Sequence, residues 1–431
     1  MMHFDRISTL AAGVSLAICA CTSLGQVVYD STQLSPPTPA IGEDFGSSVA
    51  LGPNFMIVGS EFSSDIFSNS GAVSVYSRST ATFVRKLVPP GLLPSDLLGS
   101  SVAIQGDTVV AGARIGGEAY LFDAASGNIL RTLRPSDGSF SSNFGISVAI
   151  HGDLVLVGAV SSPNLDGSVG GVYAYSLSTP TDFEIVRLAP DPFMGDDRFG
   201  DSIAMNDDFI VISAVNDSSN DAVYVFDVAT GARLHRLEPD PSANDPSFGR
   251  SVSIVENLIV VGASTDNDEG NRAGAVYLFD AISGARLLKL TPPQLTPLDF
   301  FGHTVAVSNN VLFVGAPGDI GFTGSVYAFV GPELELFDIL RPPGVNGSDQ
   351  FGNSMSIDGA EVLVGAPGSA PELGAAYLLF PRCAADLNND GLVNFFDVST
   401  FVSEMVDFNK DGSFDFFDVS AFVNAYNTSC P

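Results

Sequence analysis

The chain has no tryptophan, four cysteines, four histidines and only 18 lysines and arginines in 431 residues, against 49 aspartates and glutamates. Each scarcity excludes something. A formal net charge of −31 repels nucleic acid and anionic membrane surfaces, and it suits a soluble chain that attracts cations. So few histidines leave little material for imidazole catalysis. Beyond the first twenty residues no apolar run is long enough to cross a bilayer, so no transmembrane helix is expected. What is abundant is glycine (44), proline (26) and phenylalanine (32), with much valine and serine. That composition favours strands and turns over helices. Hydrophobic residues make up 45% of the chain, which is enough for a folded core.

The start reads as a secretion signal over residues 1–25. Arg6 precedes an apolar run, Leu10 to Ala20, and the small residues Ser23-Leu24-Gly25 offer a cleavage site before Gln26. The expected location is secreted, extracellular or at the cell surface. An alternative is a lipid anchor through Cys21, since Ile18-Cys19-Ala20-Cys21 is a loose version of the lipidation motif. After cleavage at Gln26 only Cys383 and Cys430 remain. An exported protein that keeps two cysteines usually pairs them; two unrelated thiols are the other possibility.

The middle of the chain is one unit written seven times. Phe-Gly recurs at residues 45, 144, 199, 248, 301 and 351, and Leu98-Gly99 fills the gap. After each pair comes an alternating strand ("SVAI", "SVSI"), a tight turn, and a continuous apolar strand ending near Gly-Ala ("LVLVGA", "LIVVGA", "VLFVGA"). A loop leads to a third strand ("AVYVFD", "AVYLFD"), an Asp-x-x-Ser/Thr-Gly turn follows, and a fourth strand runs into proline. Four antiparallel strands in about 50 residues make one blade of a β-propeller. An isolated blade leaves both faces wet, and stacking blades around an axis buries both, which explains second strands that are apolar without a break. The glycines near their ends let neighbouring blades approach. The seventh unit stops at Phe380 without a fourth strand, whereas Val27 to Leu34 is a fourth strand without the other three. The expectation is therefore an all-β, seven-bladed propeller over residues 26–381, closed by the N-terminal strand, which removes a raw sheet edge.

These units resemble FG-GAP repeats, the blades of the integrin alpha-chain head. Phe-Gly, the Val-Gly-Ala(-Pro) element (Val314 to Pro317, Val364 to Pro367) and the Gly-x-Val-Tyr strand carry the resemblance from Phe45 to Phe380. That family often places an Asp-rich calcium loop between its first two strands. Here the connection is a short turn, such as Gln105-Gly106-Asp107, so calcium sites are not carried over to it. Strand alternation puts the one-to-two and three-to-four connections on one face and the others on the opposite face. The second set is long and varied ("SEFSSDIFSNSG", "STDNDEGNRAG"), so a protein or polysaccharide ligand is expected there. Within those loops Asp266, Asp268 and Glu269 offer oxygens for a cation at a spacing that fits no firm template.

Residues 382–431 carry the strongest chemical signal. Asp386, Asn388, Asp390, Asn394 and Asp397 occupy positions 1, 3, 5, 9 and 12 of a calcium loop, with Gly391 at 6 and the Leu392 carbonyl at 7. Asp407, Asn409, Asp411, Ser413, Asp415 and Asp418, with Gly412, repeat the pattern. Each loop runs into a short amphipathic helix, so a small helical, EF-hand-like module holding two calcium ions is expected. Asp at position 12 and the absence of a preceding helix resemble a dockerin, which implies a cohesin-like or cell-surface partner. The Phe-Phe pairs at loop positions 10 and 11, Phe395-Phe396 and Phe416-Phe417, depart from that family and are either core or docking patch. Cys383 and Cys430 bracket the module, where a disulfide would staple a thin core.

Two function classes follow. One is a secreted calcium-binding adhesion or scaffold protein whose propeller recognises a ligand while the tail docks or anchors. The other is an extracellular polysaccharide-active enzyme, of glycoside hydrolase or lyase type, carrying a dockerin. The former is favoured, since no carboxylate pair can be assigned as acid and base and the histidines left after cleavage, His151, His235 and His303, are isolated. Turns such as "FDVATGARL" bring a quinoprotein oxidoreductase to mind, but those blades depend on Trp-bearing motifs that this chain lacks.

Overall fold

The computed structural model describes residues 27–383, apart from 39–41, 139–142, 164–168, 180, 183, 190–197, 216–220, 240–246, 309–310, 332, 346 and 369–372. The leader with Cys21, the two calcium loops and Cys430 lie outside the described residues.

The described chain is almost entirely β. A four-residue helical turn, Asp319–Phe322, is the one helical segment among the described residues, and left-handed Ile320 and Gly321 interrupt it. The strands form seven antiparallel sheets, one per Phe-Gly pair. The fifth is representative: Phe248–Val255, Leu258–Ala263, Ala275–Asp280 and Arg286–Leu290, paired in that order. The second strand of each sheet is buried almost end to end, as in Val311–Ala316, because sheets cover it on both faces. The third and fourth sheets touch through one parallel bridge, Gly170 to Phe199. The same bridge recurs at Gly71–Leu98, Gly274–Phe301, Gly324–Phe351 and Phe45–Gly374, so it is a contact between neighbouring sheets.

Residues Thr32–Leu378 form one compact unit. Inside Thr32–Leu378 each innermost strand packs against the innermost strands of the sheets before and after it, and the seventh packs against the first. Ser354 Oγ donates to the Gly46 carbonyl at 2.8 Å, and the Leu51 N–H donates to Ser356 Oγ at 3.0 Å. On the short-turn side Arg78 reaches back from the first sheet to Glu361 (3.0 Å) and Asp358 of the seventh. The circuit therefore runs through sheet packing and side-chain bonds, and the arrangement is consistent with a seven-bladed β-propeller. The strand order of the seventh sheet is Val27–Leu34, Ala375–Cys383, Glu361–Ala366, Ser354–Asp358, so its outer strand comes from the start of the chain. The last strand continues to Cys383, beyond the expected domain boundary at 381.

The Phe-Gly pair is the local device that builds each unit. The phenylalanine is buried in all six sheets that have one and meets a third-strand tyrosine edge-on, with ring centroids 5.2 Å apart for Phe301–Tyr327 and 5.3 Å for Phe248–Tyr277. The glycine takes φ near +90°, from +85° at Gly99 to +102° at Gly200. That is the third position of a type II turn, where a Cβ is penalised. A Cβ would also collide with the neighbouring sheet: at Gly302 it would meet the Ala275 carbonyl oxygen. The glycine of the second strand is needed for the same reason, since a Cβ on Gly262 would strike the carbonyl of Gly302. At the fourth sheet Ser213 replaces this glycine, and its Oγ accepts the Ser202 N–H at 2.9 Å.

Candidate functional site

The turn at each Phe-Gly pair has a directional consequence. The residue after the glycine donates its N–H to the carbonyl of the residue before the phenylalanine: Ser47 to Asp44 at 2.9 Å, Arg250 to Ser247 at 3.0 Å, His303 to Phe300 at 3.0 Å. In the second to fifth sheets the ladder then skips, for example between Phe248 and Val252, which marks a β-bulge. At the sixth, the N–H groups of Gly302 and His303 both point at the Gly315 carbonyl, at 3.1 and 3.2 Å. Bulges re-aim side chains. Here they turn the residue after each glycine toward the axis.

The result is a ring with one residue per sheet. Ser47, Ser100 and Ile146 come from the first three sheets, Asp201 and Arg250 from the next two, and His303 and Asn353 from the last two. All seven line one cavity of about 520 Å³. Glu61 and Arg114, just past the ends of second strands, form part of its rim, as do Asp44, Arg198 and Gln350, which precede phenylalanines. These positions place the mouth on the face of the long connections, where the sequence pattern expects a ligand. The volume is that of a small-molecule pocket.

Charge is unevenly spread around the ring. Asp201 is 6% exposed and lies between two arginines, with Arg198 Nη2 at 2.8 Å from Oδ1 and Arg250 Nη1 at 3.9 Å from Oδ2. Both arginines are nearly half exposed. A buried carboxylate is tolerable when so paired. Arg114 holds Glu61 at 3.1 Å. His303 Nε2 donates to Asn353 Oδ1 at 3.2 Å. Burial, reinforced by the positive charge of Arg250, pushes the His303 pKa down to about 3, so the ring is neutral at ordinary pH.

The long loops are tethered by a second recurring device. A cation in or just past the fourth strand reaches an acid in, or bordering, the connections of the same face. Arg187 meets Asp137 at 3.2 Å and lies 5.1 Å over Tyr173, and Arg341 meets Asp319 at 2.7 Å. Lys86 pairs with Asp65 and Arg134 with Glu118 in the same way. Lys289 Nζ sits 2.5 Å from both Asp266 and Asp268, and Thr291 Oγ1 bonds Glu269 at 3.4 Å. Asp266 and Asp268 are thus occupied by lysine and Glu269 bonds threonine, and among the described residues the three are not grouped to hold a metal ion, so that expectation is corrected.

Of the three histidines, His303 alone joins the pocket. His151 ends the first strand of the third sheet and bonds Asp207 at 2.8 Å, and His235 in an outer strand bonds the Ile282 carbonyl at 2.9 Å. The other six ring residues escape notice in a search for catalytic residue types. Their signal is columnar: in "Phe/Leu-Gly-x-Ser/Thr" the third position changes in chemistry from copy to copy, as Ser, Ser, Ile, Asp, Arg, His, Asn, while its neighbours keep theirs. The calcium residues Asp386 to Asp397 and Asp407 to Asp418 lie outside the described residues, as does the pairing of Cys383 with Cys430. Among the described residues no group of three or more His, Cys, Asp or Glu could hold a metal ion, and no helix is long and apolar enough to cross a membrane.

Seven sheets around a polar axial cavity define a propeller with a ligand-sized pocket. The chain matches the FG-GAP repeat family at residues 30–76, 81–127, 130–175, 183–226, 235–279, 287–329 and 338–380, well over half its length, and it belongs to that family. Proteins of this repeat are often adhesion or ligand-binding propellers. No curated protein matches the chain. The family's frame begins on a fourth strand, so its first repeat starts inside Val27–Leu34 and includes the first three strands of the first sheet.

Proposed function

We propose that this is a secreted adhesion or scaffold protein. Its long-loop face binds an extracellular protein or glycan through the axial pocket, and its C-terminal residues bind two calcium ions and dock or anchor the molecule in the manner of a dockerin. The observation that supports this most is the ring itself, in which a varied set of side chains is set one per sheet on an otherwise constant frame. Such variation on a rigid scaffold is where recognition resides. Binding is favoured over catalysis because Glu61 and Asp201, two of the three pocket carboxylates, are engaged by arginines. An acid–base pair needs carboxylates available to exchange protons. Secretion rests on the apolar leader, and the two calcium loops rest on their oxygen spacing.

The test is retention of the purified chain on arrays of immobilised polysaccharides and extracellular proteins, in calcium and in EGTA. A Ser100→Tyr variant, which fills the pocket, is expected to lose retention on at least one matrix while keeping its melting temperature. Retention that is the same in both proteins counts against the pocket. Chelation is expected to lower the helical circular dichroism signal of the C-terminal residues and leave the propeller transition unmoved. An unchanged spectrum and an unchanged melt count against the calcium module.

A further inference from the structure

We propose that the pocket recognises a carboxylated sugar, a uronate residue of an acidic polysaccharide, through the arginines at the junction of the fourth and fifth sheets. This rests on the reading of the long-loop face as the ligand face. Arg198 and Arg250 flank one carboxylate, Asp201, so the cluster carries a formal charge of +1 in a chain of net charge −31. Asp201 is the buried member, while the two guanidinium groups remain 49% and 45% exposed in the same cavity. Asp201 thus holds the Arg198 fork by a hydrogen bond and faces Arg250 at ion-pair distance, which leaves donors for a second carboxylate of the kind a planar guanidinium binds in bidentate fashion.

The rest of the ring fits the remainder of a sugar. Ser47 and Ser100 line the cavity in the sheets across from the arginines, their hydroxyls making long bonds of 3.3–3.5 Å to backbone carbonyls, and the Asn353 amide lies beside His303. These groups exchange hydrogen bonds with ring hydroxyls. Among the described residues no Phe, Tyr or Trp lines the cavity, so charge rather than stacking would hold the ligand. An acidic peptide is the poorer fit. Peptides bind along sheet edges or in grooves with aromatic or aliphatic anchors, and this cavity is axial and almost wholly polar, with Ile146 and Pro367 its apolar lining side chains.

The experiment is calorimetric titration of the full chain with tri-galacturonate, with the matching neutral galactotriose, and with tri-glutamate, each in low salt and again with EGTA to remove calcium bridging. Tri-galacturonate is expected to bind at least about tenfold more tightly than the neutral trisaccharide or the peptide, and to do so in EGTA. Arg250→Gln and Arg198→Gln are each expected to weaken it about tenfold or more, with Arg250→Lys intermediate and melting temperatures near wild type. Equal binding of neutral and acidic sugars, equal or tighter binding of tri-glutamate, loss of binding in EGTA, or full affinity in Arg250→Gln would each overturn the proposal. The wild-type comparison needs no variant, so a misfolded mutant cannot rescue or sink it. If no sugar binds but pocket-dependent retention on another matrix persists, the uronate assignment fails and the binding face stands. If that retention is absent as well, both fall.

Discussion

Two neighbouring positions in every repeat lead opposite lives. The residue after Phe-Gly varies across all seven sheets and faces the cavity. The next residue is Ser48, Ser101, Ser147, Ser202, Ser251, Thr304 or Ser354, always a hydroxyl. Five of these donate to the Phe-Gly glycine carbonyl of the following sheet, from 2.6 Å at Ser147 to 2.8 Å at Ser101, Thr304 and Ser354. In the fourth and fifth sheets the hydroxyl instead accepts a backbone N–H of the next sheet, from Val252 at 3.2 Å and Val305 at 3.1 Å. One residue of separation turns most side chains from cavity to seam, because side-chain direction alternates along a strand and the bulge sets the phase; the seam residues Ser202, Ser251 and Thr304 still border the cavity, and Ser100 also reaches the Gly145 carbonyl. Architecture and recognition are thus interleaved at single-residue spacing, and the first can stay fixed while the second changes.

That contrast can be broken or sharpened by experiment. The largest effect is expected from deleting residues 27–34. The loss removes the outer strand of the seventh sheet, exposes Ala375–Cys383 as a bare edge and strips away buried Leu34. Stability should fall by more than a single core truncation costs, over about 5 kcal/mol, with aggregation on heating. Undiminished thermal resistance would show that the N-terminal strand is no part of the frame. Phe301→Ala comes next, at roughly 3–5 kcal/mol by denaturant unfolding, since it empties a fully buried site beside Tyr327.

His303 then separates the rings by pH. Its folded pKa lies far below the ordinary histidine value of 6.5, near 3. Between those values the unfolded chain takes a proton that the folded chain refuses, so the stabilisation is full above pH 6.5 and is lost as pH falls toward 3. The slope is at most about 1.4 kcal/mol per pH unit. His303→Asn should flatten it, and an unchanged pH profile of stability would contradict the burial assigned to the ring.

The smallest effects form a pair. Ser354→Ala should cost about 1 kcal/mol through the lost bond to Gly46 and leave ligand binding alone. Arg250→Gln, at the cavity-facing position two sheets away, should stay within about 0.5 kcal/mol of wild type and lose binding instead. Reversed phenotypes would mean that the two positions have been assigned the wrong way round.

Much of this was legible before any coordinates. Phe-Gly spacing counted the sheets, the apolar second strands announced burial on both faces, and the incomplete seventh unit pointed to Val27–Leu34 as its partner strand. The cavity opens on the face that loop length had marked for a ligand. The pocket residues were not legible as chemistry. Asp201 and Arg250 are 49 positions apart in the sequence, and nothing in either stretch says that one will lie within 3.9 Å of the other. Nor does "STDNDEGNRAG" reveal that Lys289, from the fourth strand of the same sheet, will claim Asp266 and Asp268.

The sequence by itself determined the repeat, the turn and the frame. Glycine at φ near +90°, a buried aromatic and a hydroxyl are local requirements, met by residue type within a few positions of each other. Tertiary structure alone decided the site. A cavity at an axis exists only once seven separate segments converge, and the charge at its wall depends on which non-adjacent side chains are then brought within a few ångströms.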